Sequence, residues 1–102
     1  MPRVLRVHSD DNVVNVLSDL NADEIVDVEE ERIVVRSSIP MGHKMAVKNI
    51  REGKPVIKYG QAIGYAQKDI QIGEHVHVHN VQDPISNWKA QYEILARGVN
   101  IK

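Results

Sequence analysis

The sequence predicts a small all-β domain of short, bent strands followed by a short C-terminal helix, and three observations carry that reading. Valine and isoleucine gather in short runs bounded by Gly, Pro, Asp, Asn and Ser, the composition of strands joined by tight turns. An eight-residue corner recurs: Asn49-Ile50-Arg51-Glu52-Gly53-Lys54-Pro55-Val56 and Asp69-Ile70-Gln71-Ile72-Gly73-Glu74-His75-Val76 correspond position by position, and Asp19-Leu20-Asn21-Ala22-Asp23-Glu24-Ile25-Val26 is a fainter copy. Finally, Gly73-Glu74-His75-Val76-His77-Val78-His79-Asn80 alternates imidazole and valine with the two-residue period of a strand.

Taken in order, Arg3 to His8 reads as a first strand stopped by Ser9-Asp10-Asp11-Asn12, whose Asp and Asn side chains can bond their own backbone. Residues Val13 to Leu20 satisfy both a helical stripe and a strand alternation, and their β-branched content favours the strand. Glu24 to Val28 and Arg32 to Arg36 follow as strands around Glu29-Glu30-Glu31, which reads as a solvated hairpin tip. Each repeated corner reads as the end of one strand, a tight turn whose Gly or Asp takes positive φ, and the start of the next strand. Pro55 belongs at an edge, where a missing N–H costs nothing, and Gly60 and Gly64 mark a bulge or a close backbone approach. After Asp83-Pro84, Ser86 can cap a short helix with Trp88, Tyr92 and Leu95 on one face, which either folds back on the core or docks on another chain. The expected division is a β domain over residues 1–82 and a helical tail over residues 83–102.

Composition narrows the function. At 102 residues the chain fits one domain with a modest core of Val, Ile, Leu and Ala, too small for a complete large enzyme. With 13 basic and 14 acidic residues there is no basic stripe, so neither nucleic acid nor an anionic membrane is an expected partner. There is no cysteine, so any metal must be held by nitrogen or oxygen, or by a partner's ligands. No apolar run approaches the ~20 residues of a membrane helix and no signal run opens the chain, so the expectation is a cytoplasmic protein.

If the histidine segment is a strand, His75, His77 and His79 share one face and Val76 and Val78 the other. Neutral imidazole is a common metal ligand, and a His-x-His pair can place two nitrogens on one ion such as zinc, iron or manganese. Side chains at i and i+4 on a strand stand roughly 13 Å apart, so two of the three are expected to bind. The competing reading is a solvated face of an edge strand.

Ile39-Pro40-Met41-Gly42-His43-Lys44-Met45-Ala46-Val47-Lys48-Asn49-Ile50, Pro55-Val56-Ile57-Lys58-Tyr59-Gly60-Gln61-Ala62-Ile63-Gly64-Tyr65-Ala66 and the histidine segment, with the opening Val7-His8-Ser9-Asp10-Asp11-Asn12-Val13, resemble the SAF domain of the altronate and galactarate dehydratase family. The resemblance covers about residues 3 to 80. It implies a β-clip fold and a part in a metal-dependent lyase that removes water from a sugar acid or sulfite from sulfolactate. It also implies a large catalytic subunit or domain as partner and a divalent ion, Fe2+ or Mn2+, shared with it. On this resemblance His43 and Lys44 are candidates for the substrate carboxylate, Lys58, Tyr59 and Asn80 for further substrate contacts, and His77 and His79, with His75 less strongly, for the metal. No catalytic base is assigned. A non-catalytic module binding a ligand or partner is the rival reading, and an uncovered partner surface would let the isolated chain form a homodimer.

Overall fold

The computed structural model describes residues 2–82, so the expected tail helix and the separate tail unit lie outside the described residues. Every regular element described is a strand: β1 (Val4–Leu5), β2 (Val13–Val16), β3 (Ile25–Val28), β4 (Glu31–Val34), β5 (Lys44–Ala46), β6 (Pro55–Lys58), β7 (Gln61–Ala66), β8 (His75–Val76) and β9 (Val81–Gln82). They form an antiparallel sheet in the order β1-β2-β5-β8, a hairpin β3-β4 and a three-stranded sheet β6-β7-β9. The all-β expectation holds over this part of the chain, and the arrangement is consistent with a β-clip.

The architecture is built from the repeated corner, and there are four copies rather than three. The additional one is Ser38-Ile39-Pro40-Met41-Gly42-His43-Lys44-Met45. In every copy the fifth residue has positive φ: Asp23 at 74°, Gly42 at 93°, Gly53 at 83° and Gly73 at 88°. In every copy the N–H of the sixth residue donates to the carbonyl of the third, as Glu24 to Asn21, His43 to Pro40, Lys54 to Arg51 and Glu74 to Gln71. The second and eighth residues are buried throughout: Leu20 and Val26, Ile39 and Met45, Ile50 and Val56, Ile70 and Val76.

The copies associate in pairs. Leu20 and Ile39 exchange backbone hydrogen bonds of 2.9 Å in both directions, and Ile50 and Ile70 do the same at 2.8 and 2.7 Å. Side chains at the first position reinforce this across each pair: Asn49 Oδ1 accepts the Ile72 N–H at 3.0 Å, and Asp69 Oδ1 accepts the Glu52 N–H at 2.8 Å. Asp19 Oδ1 accepts the Met41 N–H in the other pair. These carboxylate and amide acceptors satisfy turn N–H groups that would otherwise rely on water.

Each pair organises one core. Leu20, Val26, Ile39 and Met45 lie in a cluster with Val4, Val14, Val16, Val28, Ile33, Val35 and Val47. Ile50, Val56, Ile70 and Val76 lie in a second with Val13, Ala46 and Ala66. Strand β2 sends Val14 and Val16 to the first core and Val13 to the second, so the β1-β2-β5-β8 sheet is a layer with apolar packing on both sides. A strand buried on both faces loses the simple alternation, which is why residues 13–20 read ambiguously between strand and helix.

Several boundaries differ from expectation. The first strand is confined to Val4–Leu5, because Arg6 onward turns into a clasp around Asp11 and Asn12. Asp11 is buried and accepts the Gly60 N–H at 2.8 Å and the His8 N–H at 3.1 Å. Asn12 accepts the Ile57 N–H at 2.7 Å and donates to the Pro55 carbonyl at 3.0 Å, fastening β6 to the rest. The acidic tip includes one paired residue, since Glu29 meets Arg6 at 3.1 Å. Pro55 opens β6, which is the outer strand of its sheet, as expected. The register slips between Val56 and Ile57, so Ile63 is an extra residue opposite them and Gly64 follows the bulge. A Cβ on Gly64 would come within 2.6 Å of the Gln82 carbonyl oxygen, so this glycine admits β9. Among the described residues no helix is long and apolar enough to cross a membrane.

Candidate functional site

The histidine segment is not one strand. β8 ends at Val76, and residues 77–80 form a turn closed by Asn80. The N–H groups of Asn80 and Val81 both donate to the His77 carbonyl at 3.1 Å. The Asn80 side chain accepts the His77 N–H at 3.0 Å and donates to the His75 carbonyl at 2.8 Å. Val78, expected beside Val76 on the face opposite the histidines, is 76% exposed while Val76 is buried. An Asn that bonds the backbone three and five residues upstream competes with ladder pairing, and here it wins.

This turn brings together what an extended strand would hold apart. The rings of His75 and His79 have centroids 4.8 Å apart, against the separation of roughly 13 Å expected for an extended i, i+4 pair. His75 and His77 lie 5.9 Å apart, and His43 inserts beside them, 5.0 Å from His75 and 3.7 Å from His77. Four of the five histidines therefore form one cluster. His43 reaches it because its corner contains Pro40. In the first and fourth copies of the corner the sixth residue is a glutamate that caps the third-position N–H: Glu24 on Asn21 at 2.9 Å and Glu74 on Gln71 at 2.8 Å. Pro40 has no N–H to cap, so the sixth side chain, His43, is free to turn toward β8.

His43 Nδ1 and His75 Nε2 are 2.8 Å apart, so one donates to the other and at most one proton lies between them. Burial, then His79, His43, His77 and Lys44 in turn, lower the His75 pKa to about 4. Burial, then His43, Lys44 and His79, lower that of His77 as well. Both rings are neutral at pH 7 and keep a nitrogen lone pair.

Lys44 and His77 line a cavity of about 140 Å³ with Ile63, Val78 and Val81. Burial, followed by repulsion from Lys58, holds the Lys44 ammonium below the ordinary lysine value. Lys58 Nζ lies 4.8 Å from the centre of the Tyr59 ring, and the Tyr59 hydroxyl is fixed by Asn15 Nδ2 at 2.9 Å. Tyr59 and Gly60 both have positive φ, at 59° and 75°, and form the two-residue turn between β6 and β7. The Asp11 carboxyl, which burial alone would push up, is held below the usual carboxylate range by the N–H groups of Gly60, Tyr59 and His8.

His43, His75, His77 and His79 are thus brought into one group, with Lys44 at its border and Lys58 close enough to act on Lys44. Asn80 stands apart from them in kind: it is fully buried and both ends of its amide hold the turn. Asn15 and the apolar wall Ile63, Val78 and Val81 carry no sequence signal for a site. Asp11 had one in its Asp-Asn step, but its reach to Gly60 is a tertiary contact. As for a metal, the chemistry of the donors fits: the His75 and His77 imidazoles, both with lowered pKa, stand in one cluster with His79. Among the described residues, however, no three His, Asp or Glu side chains converge on one point, and the rings approach largely face to face.

Comparison with known proteins gives a consistent result. The family model for the altronate/galactarate dehydratase SAF domain matches residues 2–84. Altronate dehydratase from Bacillus subtilis is 39% identical over 87 residues, which is 85% of this chain and 18% of that protein. Altronate dehydratase from Escherichia coli is 41% identical over 83 residues, 81% of this chain and 17% of that protein. The alpha subunit of (2R)-sulfolactate sulfo-lyase from Paracoccus pantotrophus is 45% identical over 49 residues, 48% of this chain and 73% of that subunit. The chain therefore spans less than a fifth of the dehydratases it resembles.

Proposed function

The chain belongs to the altronate/galactarate dehydratase SAF-domain family, and we propose that it is the SAF component of a carbon–oxygen hydro-lyase that dehydrates a sugar acid such as altronate or galactarate. In this reading it works with a large catalytic subunit or domain and a divalent ion, Fe2+ or Mn2+. The observation that carries it is the cluster of His43, His75, His77 and His79 beside Lys44, which sets imidazole nitrogens next to a cation.

The chemistry follows from the substrate class. Dehydration of a 2,3-dihydroxy acid breaks the C2–H and C3–O bonds, releases water and leaves an enol that becomes the 2-keto acid. Negative charge grows on the carboxylate as the C2 proton leaves, and fixed cations stabilise it. Lys44, and Lys58 near it, supply that charge, and the apolar wall of Ile63, Val78 and Val81 excludes water and strengthens it. His43 Nδ1 and His75 Nε2 hold one exchangeable proton between them. A divalent ion, when bound, would supply Lewis-acid polarisation of the carboxylate, and His77 and His79, with His75 less strongly, are the residues of this chain that would hold it, while His43 adjoins them. The base that takes the C2 proton belongs, in this proposal, to the large partner.

A second reading has its own support, since the matched segment makes up 73% of one sulfo-lyase alpha subunit and 51% of another. There the leaving group is sulfite from sulfolactate and the same cations serve.

The test is purification of the native chain with its associated proteins, then assays for dehydration of altronate and galactarate and for sulfite release from sulfolactate, with and without iron(II) or manganese(II). Activity that requires this chain and falls at least about tenfold in His43→Ala and His75→Ala supports the reading, and the active substrate chooses between its two forms. Full activity of the partner alone, or of both variants, would sink it.

A further inference from the structure

We propose that a second site, in the cleft between the corners at residues 49–56 and 69–76, binds a small multivalent carboxylate through Arg36 and Arg51. The cleft has a volume of about 530 Å³ and is lined by Arg36 and Arg51, the polar side chains Asn49, Asp69 and Gln71, and a floor of Ile50, Ile70 and Ile72. That volume is within the ordinary range for small-molecule sites.

The distribution of ion pairs singles it out. Arg3 pairs with Glu24 at 3.2 Å, Arg6 with Glu29 at 3.1 Å and Arg32 with Asp27 at 3.4 Å. Arg36 and Arg51 have no carboxylate partner among the described residues, and both border the same cleft. Two of the other polar groups there are already engaged: Asp69 Oδ1 accepts the Glu52 N–H and Asn49 Oδ1 accepts the Ile72 N–H. Two guanidinium forks are left, each matched to a carboxylate in shape and charge. Two forks in one cleft favour a ligand with at least two carboxylates over a monovalent one. None of the clustered histidines, nor Lys44, lines it, so this site stands independently of the dehydratase reading. Its ligand would tie the segment after β4 to the corner that leads into β6, beside the facing corner, where the Arg36 N–H already donates to the Gly73 carbonyl at 2.9 Å.

The experiment is a two-dimensional amide NMR titration of the full chain with citrate, against acetate and chloride at matched ionic strength. Citrate is expected to give saturable shifts centred on the amides of Arg36, Arg51, Gln71 and Ile72, with acetate at least tenfold weaker. Arg36→Gln and Arg51→Gln are each expected to weaken citrate about tenfold and the double variant to abolish saturation, with His77→Ala unchanged. Should a glutamine variant lose its dispersed spectrum, Arg36→Lys and Arg51→Lys keep the charge without the fork and are expected to weaken citrate as well. Shifts that follow ionic strength alone, citrate binding that survives the double variant, or shifts centred on Lys44 and the histidines would overturn the assignment. A glutamate-rich peptide is the last arm: binding tighter than citrate's would give the cleft to a protein partner and overturn the small-ligand assignment.

Discussion

At the residue scale, the histidine cluster depends on a residue that is not a histidine. Asn80 folds residues 77–80 back on β8, and without its amide the His77 N–H and His75 carbonyl lose their partners. Asn80→Ala is expected to cost about 2 kcal/mol in urea unfolding, as two buried backbone groups go unsatisfied. The isosteric Asn80→Asp, which keeps only the acceptor, is expected to lose a comparable amount. Little change in either would mean that water replaces the amide and that the turn holds itself. His75 gives a pH prediction. Its folded pKa of about 4 lies below the ordinary 6.5, so as pH falls the unfolded chain takes up this proton first. The contribution is whole above about 6.5 and drains away as pH falls toward about 4. In metal-free protein the Tm of the parent should fall more steeply over this window than that of His75→Gln, and equal slopes would assign the titration elsewhere.

At the element scale, the four corners share a backbone but differ in what surrounds the positive-φ residue. A Cβ on Gly53 would meet nothing within 4 Å, whereas one on Gly73 would lie 2.1 Å from the Val34 carbonyl oxygen. Gly53→Ala should therefore cost only the conformational penalty, about 1 kcal/mol, and Gly73→Ala several kcal/mol more because hairpin β3-β4 must move. In the first corner Asp23 holds φ at 74° without a glycine, so Asp23→Gly is expected to raise stability by up to ~1 kcal/mol. Thermal or urea unfolding of the three variants gives the order directly, and equal costs for Gly53 and Gly73 would show that the close approach relaxes freely. Three of these corners were legible in the sequence because they share an Asp or Asn, an aliphatic residue and a closing valine. The copy at residues 38–45 was not, since Ser38 and Met45 break the first and last of those marks and only Ile39 keeps the aliphatic one. Alternating imidazoles likewise announced a cluster, but a two-residue period describes only a chain that stays extended, and Asn80 ends that extension. His43 could not be placed with the others from sequence because its approach is set by sheet register, Met45 opposite His75, across thirty residues of chain.

At the scale of the whole molecule, two cores share one sheet. Val13 and Val16 sit three residues apart in the chain yet pack into different cores. Val13→Ala and Val16→Ala should each destabilise by about 2 kcal/mol and leave one cooperative unfolding transition with an unchanged urea m-value. A separate early transition in either variant would show that the cores melt independently. The paired corners also separate the residues that make the fold from those that meet the outside. Their second and eighth side chains are buried, the fifth sets the backbone, and the third and fourth are exposed in all four: Asn21 and Ala22, Pro40 and Met41, Arg51 and Glu52, Gln71 and Ile72. These eight positions have drifted in charge, size and polarity while the corner stayed the same. A scaffold of this kind can be rewritten for a new ligand or subunit without renegotiating its core, and mutational tolerance should rise and fall in the same order of positions within each of the four corners.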